Sequence, residues 1–176
     1  MRILAIDPGN TESGYALIDS ITCKPLDIGK ISNYQLRNRI NNRDFGHIDH
    51  VSIEMIASYG MPVGKEVFET CVWIGRYLEI IFLDSTVDLV YRRDVKLHHC
   101  HTVKAKDTNI TQALIDRFAP GTPNHGKGSK AQPGWFHGFK ADIWAAYALA
   151  VYTADTLNAD VTVGAAHVAR AREVAS

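Results

Sequence analysis

Ile3-Leu-Ala-Ile-Asp7-Pro-Gly9-Asn-Thr-Glu-Ser-Gly14-Tyr-Ala-Leu-Ile-Asp19 decides the reading of this chain. Ile3 to Ile6 is a short apolar run of the kind that makes a buried strand. It ends on an acid, Asp7, and Pro-Gly-Asn turn chemistry follows at once. A second apolar run, Tyr15 to Ile18, then returns. The pattern is a hairpin with a carboxylate at the tip of its first strand. Taken alone, such an acid suits turn capping. A buried lone carboxylate would be costly unless it bound something, so the reading turns on whether other acids join it.

Bulk properties narrow the field. The chain has 176 residues, 46% of them hydrophobic, enough for one domain with a real core. No run approaches the roughly 18 apolar residues of a membrane span, so no membrane partner is expected. The N-terminus opens on a strand rather than a charged, signal-like segment, so export is not expected. Cys23, Cys71 and Cys100 match neither a disulfide framework nor a zinc pattern. A reducing cytoplasm is therefore the expected compartment, and Cys71, in an apolar helical run, is expected in the core. Net charge is zero, which argues against nonspecific coating of nucleic acid but not against a local basic face. Arg117 to Ala141 holds no acid but carries Arg117, Lys127, Lys130 and Lys140. Arg92, Arg93, Lys96, Lys104 and Lys106 form a second basic cluster, interrupted only by Asp94.

The coarse order is three strands, a polar connection, a strand, a long helix, a strand, a helix, a loop and a last helix. Strands are expected near 2–7, 14–19 and 25–33, and the alternating Val51-Ser-Ile53-Glu54-Met-Ile56 gives another. Residues 35–48 stay unassigned. Gly64 to Leu83 predicts the longest helix, with one stripe from Val67, Cys71, Ile74, Leu78 and Ile81. Phe68, Val72, Trp73, Tyr77, Ile80 and Phe82 carry apolar character round most of the rest, so burial on two sides is expected, one of them against a second subunit. Thr86 to Tyr91 is a further strand. Asn109-Ile-Thr-Gln112 opens a helix to Phe118 with a capping-box pattern. The glycine- and lysine-rich stretch 119–138 is long enough for a loop to suggest function. The last helix is expected over about 140–158, giving one domain over 1–159 and a tail over 160–176. His98-His99-Cys100-His101 lacks metal-ligand spacing and reads as a solvated basic patch.

Glu54 ends the pattern of the fourth strand, and Asp142 stands in the first turn of the last helix. Each has a bland explanation, an edge acid or a charge that complements the helix dipole. Together with Asp7, three acids end apolar elements from separate parts of the chain. Oxygen ligands on rigid elements are what a hard metal ion needs. Two Mg²⁺ ions so held can activate a water and stabilise the leaving oxygen of a phosphodiester.

The Asp7-Pro-Gly9 hairpin, the strand carrying Glu54, and Lys140-Ala-Asp142-Ile-Trp-Ala-Ala-Tyr-Ala-Leu-Ala resemble the RuvC-type Holliday junction resolvases, over residues 1–155. Tyr59-Gly-Met-Pro-Val-Gly-Lys65-Glu-Val-Phe68-Glu-Thr is more similar to their phage-encoded branch than to the bacterial one. The resemblance implies an α/β, ribonuclease H-like fold, a mixed five-stranded sheet flanked by helices. It implies a homodimeric endonuclease, dependent on Mg²⁺ or on Mn²⁺ as its substitute, that resolves four-way DNA junctions by paired symmetric nicks. Asp7 would bridge two metal ions, with Glu54 and Asp142 completing one side each. One departure stands out. The bacterial pattern has an acid three residues after the position of Asp142, and here that place holds Ala145. His137 or Asp155 is the candidate substitute, and an inactivated variant is the other explanation.

A two-fold dimer matches the two scissile phosphates of a junction, and the 64–83 helix is the expected contact. Lys104, Lys106 and Lys140 are candidates to stabilise transition-state charge. Lys127 and Lys130 suit phosphate contacts that position DNA without reading sequence. Tyr59 and Lys65 lie on the loop after Glu54, where Tyr59 can stack on an unpaired base. Phe68 is expected in the core, and Trp135 and Phe136 are expected to anchor their loop. Three rivals remain: a debranching nuclease with broad specificity, a junction-binding protein that does not cut, and an actin-like ATPase. The last shares the Asp-x-Gly hairpin but needs far more chain.

Overall fold

The computed structural model describes residues 1–58, 60, 62–81 and 85–174, with side chains to residue 159. Among them, the chain runs β1 Arg2–Asp7, β2 Glu12–Asp19, β3 Pro25–Ser32, α1 Asn33–Asn41, β4 His50–Met55, α2 Lys65–Ile81, β5 Thr86–Tyr91, α3 Arg92–Cys100, α4 Asp107–Phe118 and α5 Asp142–Val174. The strands form one mixed sheet in the order β3-β2-β1-β4-β5. β2 is antiparallel to β1 and β3, while β4 and β5 run parallel to their neighbours. This is the mixed five-stranded sheet flanked by helices expected from the sequence. No helix is long and apolar enough to cross a membrane among the described residues.

Alternation along the strands divides the core. Leu4, Ile6, Leu17, Val51 and Ile53 pack with α1 and α2 on one face. Ile3, Ala5, Ala16 and Ile18 pack on the other with α3, α4 and α5. By the same period of two, Asp7 and Glu54 point to the α5 face. α5 is held there by Ser52, whose hydroxyl lies 2.6 Å from that of Thr153, itself a donor to the Leu149 carbonyl. The run Ala146 to Val151 is wholly buried, and its alternate alanines, Ala146, Ala148 and Ala150, leave room for the helix to lie close to the sheet.

Several expectations are corrected. Residues left unassigned at 35–48 contain most of α1, started by a capping box in which Ser32 and Gln35 bond each other reciprocally. The buried face of α2 is Thr70, Trp73, Ile74, Tyr77 and Ile81, rotated from the expected stripe because the two large aromatics take the sheet side. Cys71 and Phe68 are consequently exposed, Phe68 by 62%. Phe82 and Leu83 lie outside the described residues. The histidine cluster ends a helix the sequence reading missed, α3. His99 is half-buried against the Ala148 carbonyl, and its partial burial depresses its pKa to about 4. His98 bonds Asp155 at 2.7 Å. These side chains pack between helices and are not a solvated patch.

The 119–138 segment is anchored as expected. Phe136 is buried, Trp135 stacks on Phe118 at 5.1 Å, and its Nε1 donates to the Tyr147 hydroxyl at 2.9 Å. The last helix continues through the tail to Val174, beyond the expected end near 158.

Candidate functional site

Register places the acids. Ile6 faces Ile53 across the parallel β1–β4 pair, so Asp7 and Glu54 sit side by side, one step further on, at the carboxyl ends of their strands. Asp7 also faces Gly14 across the hairpin. A side chain at Gly14 would put its Cβ 2.6 Å from the Asp142 carbonyl oxygen. The bare backbone at Gly14 is what lets the start of α5 close on the tip of β1. Ala141, just before Asp142, takes φ +37°, a left-handed conformation costly for a residue with a Cβ. The hairpin is fixed from the other face. Asn33 Nδ2 donates to the Gly9 carbonyl at 2.9 Å, and the Ser13 hydroxyl donates to Asn33 Oδ1 at 2.7 Å. The Tyr77 hydroxyl joins that buried network, and burial pushes its pKa up to about 12.

Asp7, Glu54 and Asp142 thus line one cleft of about 440 Å³, with Arg92, Asp107, Thr108, Ala141, Trp144 and Ala145 also in its wall. Asp107 is the acid the sequence reading missed. It opens α4, which begins two residues before the expected Asn109. Its signal, an acid in the first turn of an amphipathic helix, is the one that identified Asp142. Ala145 presents only a methyl group to the cleft, and the fourth carboxylate arrives from α4 instead of from α5. Neither expected substitute supplies it. Asp155 is 13 residues along α5 from Asp142, about 20 Å at the helical rise, where Arg117 and His98 hold its carboxyl well below the usual range against the opposing effect of burial. His137 is exposed and lines a different cleft, against β3.

The electrostatics are those of crowded carboxylates. Burial raises the Asp7 pKa to about 8, with Glu54, Asp142 and Asp107 adding to the rise and Arg92 opposing it. Burial also raises Glu54, again against Arg92. Two cations of the chain itself stand among these acids. Arg92, the first residue of α3, donates from Nη1 to Glu54 Oε2 at 3.1 Å and from Nη2 to Asp107 Oδ1 at 2.6 Å. Lys30 of β3 lies 2.7 Å from Asp142, and that hydrogen bond, followed by the charge of Asp142, raises the lysine's pKa. Among the described residues, no three His, Cys, Asp or Glu side chains already form a ligand set for one ion. The donors nonetheless fit a hard divalent cation in kind: carboxylate oxygens from four elements, a buried carboxyl that is hard to ionise without a cation, and two side-chain cations standing in.

The other expected residues scatter around this cleft. Lys127 lines a smaller cleft with Thr108, Thr111 and Trp144, which the two clefts share. Lys106 precedes Asp107, and its backbone N–H donates to Asn109 Oδ1 at 2.8 Å. Lys104 is exposed on the same turn. Lys65 opens α2 and pairs with Glu69 at 3.2 Å, and Glu69 also accepts from Asn10 of the Asp7 hairpin at 3.4 Å. Lys130 and Lys140 are exposed and line neither cleft. Tyr59 lies outside the described residues.

No family model matches the sequence, and no curated protein matches it. Solved structures do. A Thermus thermophilus RuvC structure superposes with a TM-score of 0.61 at 15% identity, covering 86% of this chain and 92% of that one. T. thermophilus RuvC in complex with a Holliday junction substrate superposes with a TM-score of 0.64 at 13% identity, covering 86% of this chain and 91% of that one. At such identities the likeness is one of fold: the chain has the ribonuclease H-like architecture of RuvC, across most of its length.

Proposed function

We propose that this protein is a divalent-metal-dependent endonuclease that resolves four-way DNA junctions. The observation that carries this reading is the convergence of Asp7, Glu54, Asp142 and Asp107 on one cleft in a chain folded like RuvC. One of those RuvC structures is a complex with a Holliday junction substrate, which supports branched DNA as the ligand here. Asp7, Glu54 and Asp142 would hold the metal, Mg²⁺ or Mn²⁺, with Asp107 in the place that Ala145 leaves. Bound there, the metal supplies an activated water and neutralises charge on the leaving oxygen of the phosphodiester.

The chain's own residues do the rest. Asp7 stays protonated at neutral pH until a cation joins it, so ion binding is coupled to release of a proton from its carboxyl. The bare backbone at Gly14 lets the start of α5 close on the tip of β1, and the Asn33 network fixes the hairpin itself, so the two together set the spacing of the carboxylates. Lys127 lines the adjoining cleft, Lys106 directly precedes Asp107 and Lys104 is exposed two residues earlier, and all three suit contacts to DNA phosphates. Lys65, Lys130 and Lys140 would extend that contact further out, and Tyr59, outside the described residues, is proposed to stack on a base. Phe68 and Val72, 62% and 54% exposed on α2, support a homodimer through this helix, in which two clefts meet the two scissile phosphates. On this reading residues 1–159 are the nuclease domain and 160–176 a tail, and the resemblance of the 59–70 segment supports a phage protein acting in a host cytoplasm.

A labelled synthetic four-way junction, a replication fork and a linear duplex, each incubated with Mg²⁺ or with EDTA, test this. Paired symmetric nicks on the junction alone, absent with EDTA and in Asp7→Asn, are expected. Cutting of the fork as well would favour a debranching nuclease. Tight junction binding without any cutting would overturn the enzymatic reading.

A further inference from the structure

Arg92 is not an ordinary surface cation. Its side chain is 22% exposed and that of Glu54 only 17%, and the pair is 3.1 Å apart. The same guanidinium reaches Asp107 at 2.6 Å, and its charge is felt at Asp7. A partly buried fork that joins two carboxylates from β4 and α4 is held far more firmly than a solvated pair such as Lys65–Glu69, whose lysine is 87% exposed. Burial alone would lower the Arg92 pKa, but Glu54 and Asp107 more than offset it and hold the group charged.

We infer that Arg92 is the resident counter-cation of the acidic cleft, and that a divalent ion must displace its guanidinium from Glu54 before the cleft is loaded. This rests on the reading of the cleft as a metal-dependent site. Arg92 and the ion compete for one carboxylate. Glu54 cannot give its oxygens fully to an ion while Arg92 holds one of them, and two cations that close to each other repel. The displaced group has a place to go. Arg92 stands in the wall between the acidic cleft and a second, basic one of about 520 Å³, lined by Arg93, Lys96 and Val103. Because Arg92 lines both clefts, the displacement calls for rotation about its own side-chain bonds. Arg92 is therefore a positioning residue that keeps the acids in place without metal and sets how tightly metal binds.

The test is Mn²⁺ binding to the full chain, stripped of metal and without DNA, followed by isothermal titration calorimetry. Arg92→Gln should bind Mn²⁺ about tenfold more tightly than the parent, a difference well within calorimetric resolution. Arg93→Gln removes the same charge from a residue that is paired with Asp94 and 61% exposed, and should change affinity less than about twofold. Arg92→Lys keeps the charge without the fork, so its affinity should fall between those of the parent and Arg92→Gln. It decides the matter if Arg92→Gln does not fold. Unchanged or weaker Mn²⁺ binding in the Arg92 variants would overturn the inference. Asp7→Asn separates the two levels. Loss of Mn²⁺ binding there, without tightening at Arg92, sinks the Arg92 inference alone. Full binding by Asp7→Asn sinks the metal site and the inference with it.

Discussion

Asp7→Asn should stabilise the metal-free protein while abolishing its chemistry. The size of the gain follows from the carboxyl's raised pKa. An ordinary aspartate ionises near 3.8, and Asp7 ionises near 8. Between those values the folded protein keeps a proton that the unfolded chain has lost, so stability falls as pH rises from about 4 and levels off above about 8. At about 1.4 kcal/mol per pH unit, the cost is about 2 kcal/mol at pH 5, about 4 at pH 7 and about 6 above pH 8. Asparagine has nearly the shape of the protonated acid and no charge to lose. Its advantage over the parent should therefore widen with pH along that curve.

The assay is urea unfolding in EDTA from pH 5 to pH 8.5, repeated with Mg²⁺. Glu54 contributes a pH dependence of its own to both proteins, so the difference between them isolates position 7. In EDTA the gap should be wider at pH 7 than at pH 5 by roughly 2–3 kcal/mol, about 1.4 for each of the two pH units. Mg²⁺ should narrow it, because an ion that binds the folded state stabilises the parent alone. Parallel pH curves for parent and variant would refute the argument. So would an Asn variant less stable than the parent at pH 8.

Glu54→Gln and Asp142→Asn should each lower junction cleavage by more than about 100-fold, beyond what supporting residues carry, and leave junction binding by gel shift intact or tighter. Gly14→Ala drives a methyl group to 2.6 Å from the Asp142 carbonyl, so it should cost about 1–3 kcal/mol in urea unfolding and cut cleavage as strongly as loss of an acid. Ala141→Gly relieves a φ of +37° and should raise stability by about 1 kcal/mol, seen as a higher melting temperature. Phe68→Glu paired with Val72→Asp should change monomer stability by less than about 0.5 kcal/mol per exposed site, yet shift sedimentation from dimer to monomer.

The sheet was legible because strands announce themselves by apolar runs and turn residues, and β1, β2 and β4 have clean ones. Their acids were legible for the same reason: a carboxylate at the end of an apolar run is conspicuous. What escaped was set by tertiary packing. The buried face of α2 rotated to admit Trp73 and Tyr77, a choice between two plausible apolar stripes that only the opposing sheet makes. α3 was hidden because its polar sequence, Arg92 to Cys100, shows no long stripe, and its single buried apolar residue is Val95. Asp107 carried the same signal as Asp142, yet the capping-box pattern at Asn109 drew the helix start past it. Gly14 looked like a hairpin residue, and its role as the landing place for Asp142 depends on a contact 128 residues along the chain.

The cleft is arranged against the stability of its own fold. β1 and β4 would pack as well with neutral ends, and two first-turn acids serve α4 and α5 equally well when they point apart. Instead the parallel register, the bare backbone at Gly14 and the strained Ala141 bring carboxylates together where burial, with the neighbouring acids, pushes the Asp7 carboxyl up to about 8. A fold has no structural reason to gather like charges and then place Arg92 and Lys30 among them. Neutral side chains in the same positions would need neither cation. The arrangement makes physical sense if Asp7 must ionise beside the other acids, a state that stronger positive charge entering the cleft favours. On that argument, a junction-binding protein that never used metal would gain both stability and affinity for phosphate by losing these acids. Their retention beside two internal cations favours a nuclease over a passive binder.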